Sequence, residues 1–175
     1  MSTYDKILDA AMDIVREEGV VRLTLDAAAK RAGISKGGVL YHFKSKDDLI
    51  RGMVKRLLDH CDAMHAAAYQ RQPEGPYRWL RTMIEVTFDP EGPTSDRIGG
   101  ALLAALALNP ELMAPIEARY DEWMADVRSD SPDLDRAALV CMALDGHYFD
   151  TMLGLAPYDS AQLDRIRRTA LDLLK

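Results

Sequence analysis

The stretch from Thr24 to His42 leaves its backbone few choices. Thr24 and Ser35 are both good N-cap residues, and Gly33 stands two positions before the second. A cap side chain accepts one of the orphan N–H groups at a helix start, and glycine adopts the positive φ of a sharp turn without steric cost. The spacing predicts a helix over about 25–32, a turn at Ala32-Gly33-Ile34 and a short helix over about 36–42. Two brief helices across a tight glycine turn form a helix-turn-helix unit. Ala28, Ala32, Ile34 and Leu40 are the apolar residues expected in its internal core. The second helix of such a unit enters the DNA major groove by its N-terminal end, which here reads Ser35-Lys36-Gly37-Gly38.

Caps, 3.6-residue apolar stripes and glycine or proline stops continue along the rest of the chain. Ser2 or Thr3 caps a first helix carrying Ile7, Leu8, Ala11, Met12, Ile14 and Val15, and Gly19 stops it. Ser45-Lys46-Asp47-Asp48 has capping-box spacing and opens a long helix to about Arg71. Pro73-Glu74-Gly75-Pro76 ends that helix, and Pro76 is expected at the first position of the next, which runs to Phe88. Residues 89–95 read as a loop and 96–108 as a helix. Asn109-Pro110 begins another to about Val127, whose first turn Pro115 is expected to detach. The last two helices cover about 134–153 and, from an Asp159 or Ser160 cap, the residues to Leu174. No stretch alternates as a strand would. The fold class is all-α. A three-helix helix-turn-helix head is expected over 1–46 and an antiparallel helical bundle over 47–175, about nine helices in total.

Composition narrows the function. At 48% hydrophobic and 29% charged residues the chain is globular. No apolar run approaches the roughly 18 residues of a membrane span, and Met1 to Asp5 lacks a signal-peptide pattern. A cytoplasmic protein without a membrane partner is expected. Cys61 and Cys141 stand alone, and His60, Cys61 and His65 lack the repeated spacing of a metal site, so neither a zinc site nor a disulfide framework is expected. No phosphate loop, nucleophile–base pair or cofactor motif is present. Asp145 and His147 look catalytic, but residues i and i+2 of a helix do not face each other. An enzyme is not expected, nor a cofactor. The net charge of −6 hides a division: residues 1–57 hold eleven Lys and Arg against eight Asp and Glu, net +3, and the remainder holds eleven against twenty, net −9. A cationic working end on an acidic body fits a nucleic-acid partner.

Gly37 and Gly38 strengthen that reading. Each costs a helix about 1 kcal/mol against alanine, and the missing side chains let a backbone approach a partner closely. Residues 24–54, TLDAAAKRAGISKGGVLYHFKSKDDLIRGMV, resemble the DNA-binding domain of the TetR/AcrR family of bacterial transcription regulators. The resemblance lies in Thr24, Ala28, Ala32-Gly33, Ser35, Gly37, Tyr41, Phe43, Lys46 and Leu49, and it covers about residues 3–55. Ala27-Ala28 departs from the Ile-Ala common there, which thins the packing under the helix. The resemblance implies that Lys36 reaches a guanine or a phosphate, that His42 bonds base or backbone, and that Tyr41 and Lys46 meet phosphate oxygens. Thr24, Ser35, Gly37 and Gly38 complete the expected contact set, and Phe43 and Leu40 are expected in the core.

The resemblance also implies a homodimer through the last two helices. Leu163, Ile166, Ala170, Leu173 and Leu174 form one stripe, and the preceding helix, with Leu139 and Met142, is apolar nearly all round. Such a helix is buried on two sides; the alternative is the central helix of a monomeric bundle. Cys61, His65, Trp79, Met83, Tyr120, Trp123, Met124 and His147 are the residues expected to line a site for a small apolar or amphipathic effector. The resulting expectation is a repressor that binds a palindromic operator as a dimer and is released by that effector. The alternative is a DNA-binding protein without an effector, acting architecturally or through a protein partner.

Overall fold

The computed structural model describes residues 1–92, 98–99, 102, 109–155 and 157–175. Among them are eight α-helices and no strand: α1 Thr3–Glu18, α2 Leu25–Ala32, α3 Lys36–His42, α4 Lys46–Arg71, α5 Arg78–Thr87, α6 Ala114–Asp130, α7 Leu134–Met152 and α8 Ser160–Asp172. Single 3₁₀ turns cover Val20–Arg22 and Pro110–Leu112. The helix expected over 96–108 lies mostly outside the described residues; Ile98, Gly99 and Leu102 are helical.

Local chemistry sets most of the boundaries. Ser2 Oγ accepts from Asp5 N–H at 3.1 Å while Asp5 accepts from Ser2 N–H at 3.2 Å, a complete capping box. Thr24 Oγ1 accepts from Ala27 N–H and Ser35 Oγ from Gly38 N–H. Asp133 and Asp159 open α7 and α8 in the same way. Gly33 is left-handed, with φ 67°, and α2 ends there with Ile34 N–H donating to Ala29 O at 3.0 Å. Pro110–Leu112 is split from α6 as the prolines require.

The start of α5 differs from expectation. Pro76 precedes the helix, and Tyr77, buried with φ 60°, is its N-cap without a side-chain hydrogen bond. Asp130 at the end of α6 takes over the capping: its carbonyl accepts from Tyr77 N–H and its carboxylate from Trp79 N–H, both at 2.9 Å.

The chain forms two compact units, residues 1–58 with 97–117, and residues 59–96 with 118–175. The first is built on α1, whose Ile7, Leu8, Ala11, Ile14 and Val15 are buried. Val39, Phe43, Leu49 and Met53 join that core, and so do Ile98, Leu102 and Leu112 from the later segment. Within the helix-turn-helix, Ala28 and Val39 are the fully buried residues; Leu40, expected there, is half-buried, because the inward face of α3 lies one residue earlier. Arg56 of α4 bonds Asp5 at 2.8 Å and also Asp9, tying α4 to α1. The second unit has its own core, with Leu80 and Ile84 of α5, Val127 of α6, Val140 and Leu144 of α7, and Leu174. Leu174 thus belongs to the core of its own chain and not to an open stripe.

At Gly52 α4 packs tightly against α1 and Phe43. A Cβ there would lie 2.9 Å from Phe43 Cε1, 3.1 Å from Leu8 Cδ2 and 3.2 Å from the Tyr4 hydroxyl. Gly52→Val should therefore overpack the first unit and destabilise it by about 1–3 kcal/mol, read as a lower midpoint in calorimetry.

Candidate nucleic-acid interface and effector site

The glycine turn holds α3 against α2 so that one face of α3 is buried through Val39 and the other is bare. Lys36 and Tyr41 stand out from that bare face, Tyr41 at 77% exposure. His42 is half-buried, edge-on to Tyr41 at 5.0 Å and to Tyr4 at 6.0 Å. Thr24 and Ser35 are exposed, each with its oxygen engaged as a cap.

The two glycines divide their work. A Cβ on Gly37 would meet nothing within 4 Å, whereas one on Gly38 would lie 2.7 Å from Ile34 Cγ2. Packing inside the helix-turn-helix explains Gly38; among the described residues nothing in contact explains Gly37. Lys46 also has an internal role, its ammonium donating to Val20 O at 2.8 Å from a partly buried position. That carbonyl supplies a reason for a cation in the first turn of α4, where the helix dipole disfavours one. Lys44, which sequence reasoning passed over, donates to Leu40 O at 2.7 Å and finishes α3. Arg31 bonds Glu17 at 2.9 Å and Glu18 at 3.2 Å, and holds the Glu17 carboxyl below its usual range.

The eight residues expected to line an effector site fall into separate places. His65 of α4 lies edge-on to Trp123 of α6 at 4.9 Å, one turn from Cys61. Trp123 Nε1 donates to Asp62 at 3.1 Å, and Arg119 pairs with the same carboxylate at 3.2 Å. His65 Nδ1 is buried without a hydrogen-bond partner among the described residues. Burial pushes the Cys61 thiol up to about 11 and raises Tyr148, with Cys61 adding to the second shift. Tyr120 forms a separate pair, its hydroxyl donating to Asp145 at 2.6 Å; burial and that carboxylate both raise its titration. Met83 is buried in the core of the second unit and Met124 packs against it. Trp79 tilts onto Tyr69 at 4.4 Å, and the Arg78 guanidinium covers the same ring at 4.0 Å. Among the described residues no three His, Cys, Asp or Glu side chains are placed to hold a metal ion.

His147 lies elsewhere. Its ring stacks on Phe88 at 5.0 Å and faces an open groove of about 430 Å³ between α7 and α8. Leu139, Leu163, Ile166, Ala170 and Leu173 line that groove. Met142 is 70% exposed on α7, whose Ala137, Val140, Cys141 and Leu144 turn inward. The helix is therefore buried on one side in a single chain and apolar on the other.

A basic, glycine-turned helix pair in one unit and a helical bundle in the other are the features of a helix-turn-helix protein. Comparison with known proteins is specific. Residues 7–53 match the profile described as bacterial regulatory proteins, tetR family, and residues 77–175 match that of the tetracyclin repressor-like C-terminal domain. The chain belongs to the TetR family. It is 27% identical to the HTH-type transcriptional regulator EthR of Mycolicibacterium smegmatis, over 68% of this chain and 54% of that one, so it spans about half that relative's length. It is 29% identical to the biofilm operon icaADBC negative transcriptional regulator IcaR of Staphylococcus aureus, over 67% of this chain and 69% of that one. In fold it is similar to a TetR-family regulator from Rhodococcus sp. (TM-score 0.77, 17% identity, 98% of both chains). It is also similar to the multidrug binding protein EbrR complexed with ethidium (TM-score 0.71, 24% identity, 98% of both chains).

Burial holds the His65 ring below the ordinary imidazole range, against the pull of Asp62, and burial acts on His147 in the same direction. An unfolded chain takes up these protons near pH 6.5 and the folded one only lower, so the unfolded state binds more protons in that interval. Their share of stability is complete above about pH 6.5 and is lost as the pH falls toward the folded values. His65→Gln should flatten part of the decline in melting temperature between about pH 7 and 5. A pH profile identical to that of the unaltered protein would show that His65 is protonated as easily folded as unfolded.

Proposed function

We propose that the chain is a cytoplasmic, DNA-binding transcriptional repressor. It binds a palindromic duplex operator as a homodimer through α7 and α8 and is released by a small apolar or amphipathic effector. The observation that carries the reading is the bare face of α3, with Lys36 and Tyr41 projecting beside an unshielded Gly37, in a segment that matches the family's regulator profile. Lys36 donates to a guanine or a phosphate, Tyr41 and His42 to phosphate oxygens, and Thr24 and Ser35 present hydroxyls beside their capping bonds. Lys46 keeps N–H groups beyond the one given to Val20, so phosphate contact is its second task.

One chain has one such head, and a palindrome needs two about one helical turn apart or a multiple of it. The apolar groove with Leu139, Leu163, Ile166 and Leu173 supplies the joining surface, and the exposed Met142 extends it. The names of the relatives point the same way: IcaR is described as a negative regulator and EbrR as a multidrug binding protein. His65 and Trp123, with Cys61 one turn away on α4, are the polar and aromatic groups offered to an effector, and among the described residues no helix is long and apolar enough to cross a membrane.

On a duplex recovered by selection from a random pool, Lys46→Ala should lower the slope of log affinity against log salt by about one per half-site. It should also lower the melting temperature, because the bond to Val20 goes with it; an unchanged slope removes Lys46 from the DNA surface. Gly37→Ala should gain up to about 1 kcal/mol of stability and still lose affinity for the same duplex. Retained affinity would leave Gly37 without a part in binding. Ile166→Asp puts a carboxylate into the apolar groove and should give a monomer in sedimentation, with DNA affinity falling although the head is untouched. A variant that stays dimeric, or a monomer with full affinity, contradicts the arrangement.

A further inference from the structure

Asp26 is the one carboxylate between Thr24 and Lys46, a stretch that also carries Lys30, Arg31, Lys36, Lys44 and Lys46. A surface that meets a polyanion gains affinity from cations and loses it to each carboxylate. Asp26 does not cap α2, because Thr24 does. Its two oxygens instead reach across the turn to Lys36, at 3.0 and 3.2 Å from the ammonium. The Lys36 and Asp26 side chains are 64% and 68% exposed, and a pair so open to water contributes little to folding. Lys36 is the first residue of α3, and its neighbour Gly37 has open space where a side chain would stand. A donor and an acceptor are thus held side by side on the face that the DNA-binding reading turns toward the major groove.

The edge of a G·C pair in that groove offers the acceptors N7 and O6 on guanine, followed by the N4 amino donor on cytosine. A lysine ammonium has three N–H groups and each carboxylate oxygen two lone-pair sites, so both partners keep bonding capacity while they hold each other. The same pair set against A·T would bring the carboxylate to thymine O4, an acceptor, and the thymine methyl group. We propose that Asp26 and Lys36 read one G·C pair per half-site as a unit, Lys36 donating to guanine O6 or N7 and Asp26 accepting from the cytosine N4 amino group. The inference rests on the DNA-binding reading above and adds to it a specificity-determining residue. Asp26 costs affinity for DNA in general and contributes discrimination at one position.

The full chain should be bound to a pool of duplexes randomised over about two helical turns, and the retained duplexes sequenced, for the unaltered protein and for Asp26→Ala, Asp26→Asn and Lys36→Ala. The unaltered protein should enrich a motif with a G·C pair at a fixed place in each half-site. Asp26→Ala should relax that place alone, reducing its discrimination against A·T by about tenfold, while affinity for the pool holds or rises. Asp26→Asn should admit adenine at the same place, since an amide matches adenine N6 and N7. Lys36→Ala should relax the same position and weaken binding overall. An Asp26→Ala motif unchanged at every position, or weakened evenly at all of them, overturns the proposal and leaves the DNA-binding reading intact. A pool from which the unaltered protein enriches no motif overturns both. Circular-dichroism melting of each variant shows that it is folded.

Discussion

The first unit depends on the burial of one stripe of α1. Ile7, Leu8, Ala11, Ile14 and Val15 are what α2, α3 and α4 close upon, and the stripe also receives Ile98, Leu102 and Leu112 from a hundred residues along the chain. Because α3 has only seven residues, it has no stability of its own to speak of. Its orientation is that of the surface beneath it, fixed through Val39 and Phe43 on one side and the left-handed Gly33 on the other. The backbone that carries Lys36 and Tyr41 is thereby set by the core beneath it.

Features set by neighbours in sequence were legible. Thr24 and Ser35 are the caps their residue types announce, and Ser2 and Asp159 are each one of the two candidates the sequence offers, since a cap acts within three residues. What escaped was decided at long range. Tyr77 begins α5 because Asp130 reaches it from α6, more than fifty residues away, and no local pattern announces that. Val39 in place of Leu40 is a choice of face made by the tight turn at Gly33. Gly37 and Gly38 look alike in sequence, and only the position of Ile34 tells them apart.

The candidate sites show the same boundary. Residue type identified Lys36 and Tyr41 as exposed polar groups on a recognition helix, but not that Lys46 would spend a proton on Val20 O. His65 and Trp123, two of the residues expected around an effector, lie ring to ring, whereas His147 faces the groove beside Phe88. On α7, apolar nearly all round, periodicity has no preferred face to report. Asp26 went unnoticed because an acid in the first turn of a helix is ordinary; its meaning appears only when its oxygens are seen to point at Lys36.

Both tryptophans of the chain, Trp79 and Trp123, lie in the second unit, and none lies in the first. Trp123 sits against the imidazole of His65 and shares its indole N–H with Asp62. Tryptophan emission, excited to the red of the tyrosine absorption so that Tyr4 and Tyr41 stay dark, is therefore a one-sided signal. It follows the polarity and rigidity around the two indoles, one of them against the His65 imidazole, and it takes no light directly from the surface of α3. A tryptophan record of the chain is in effect a record of its second unit.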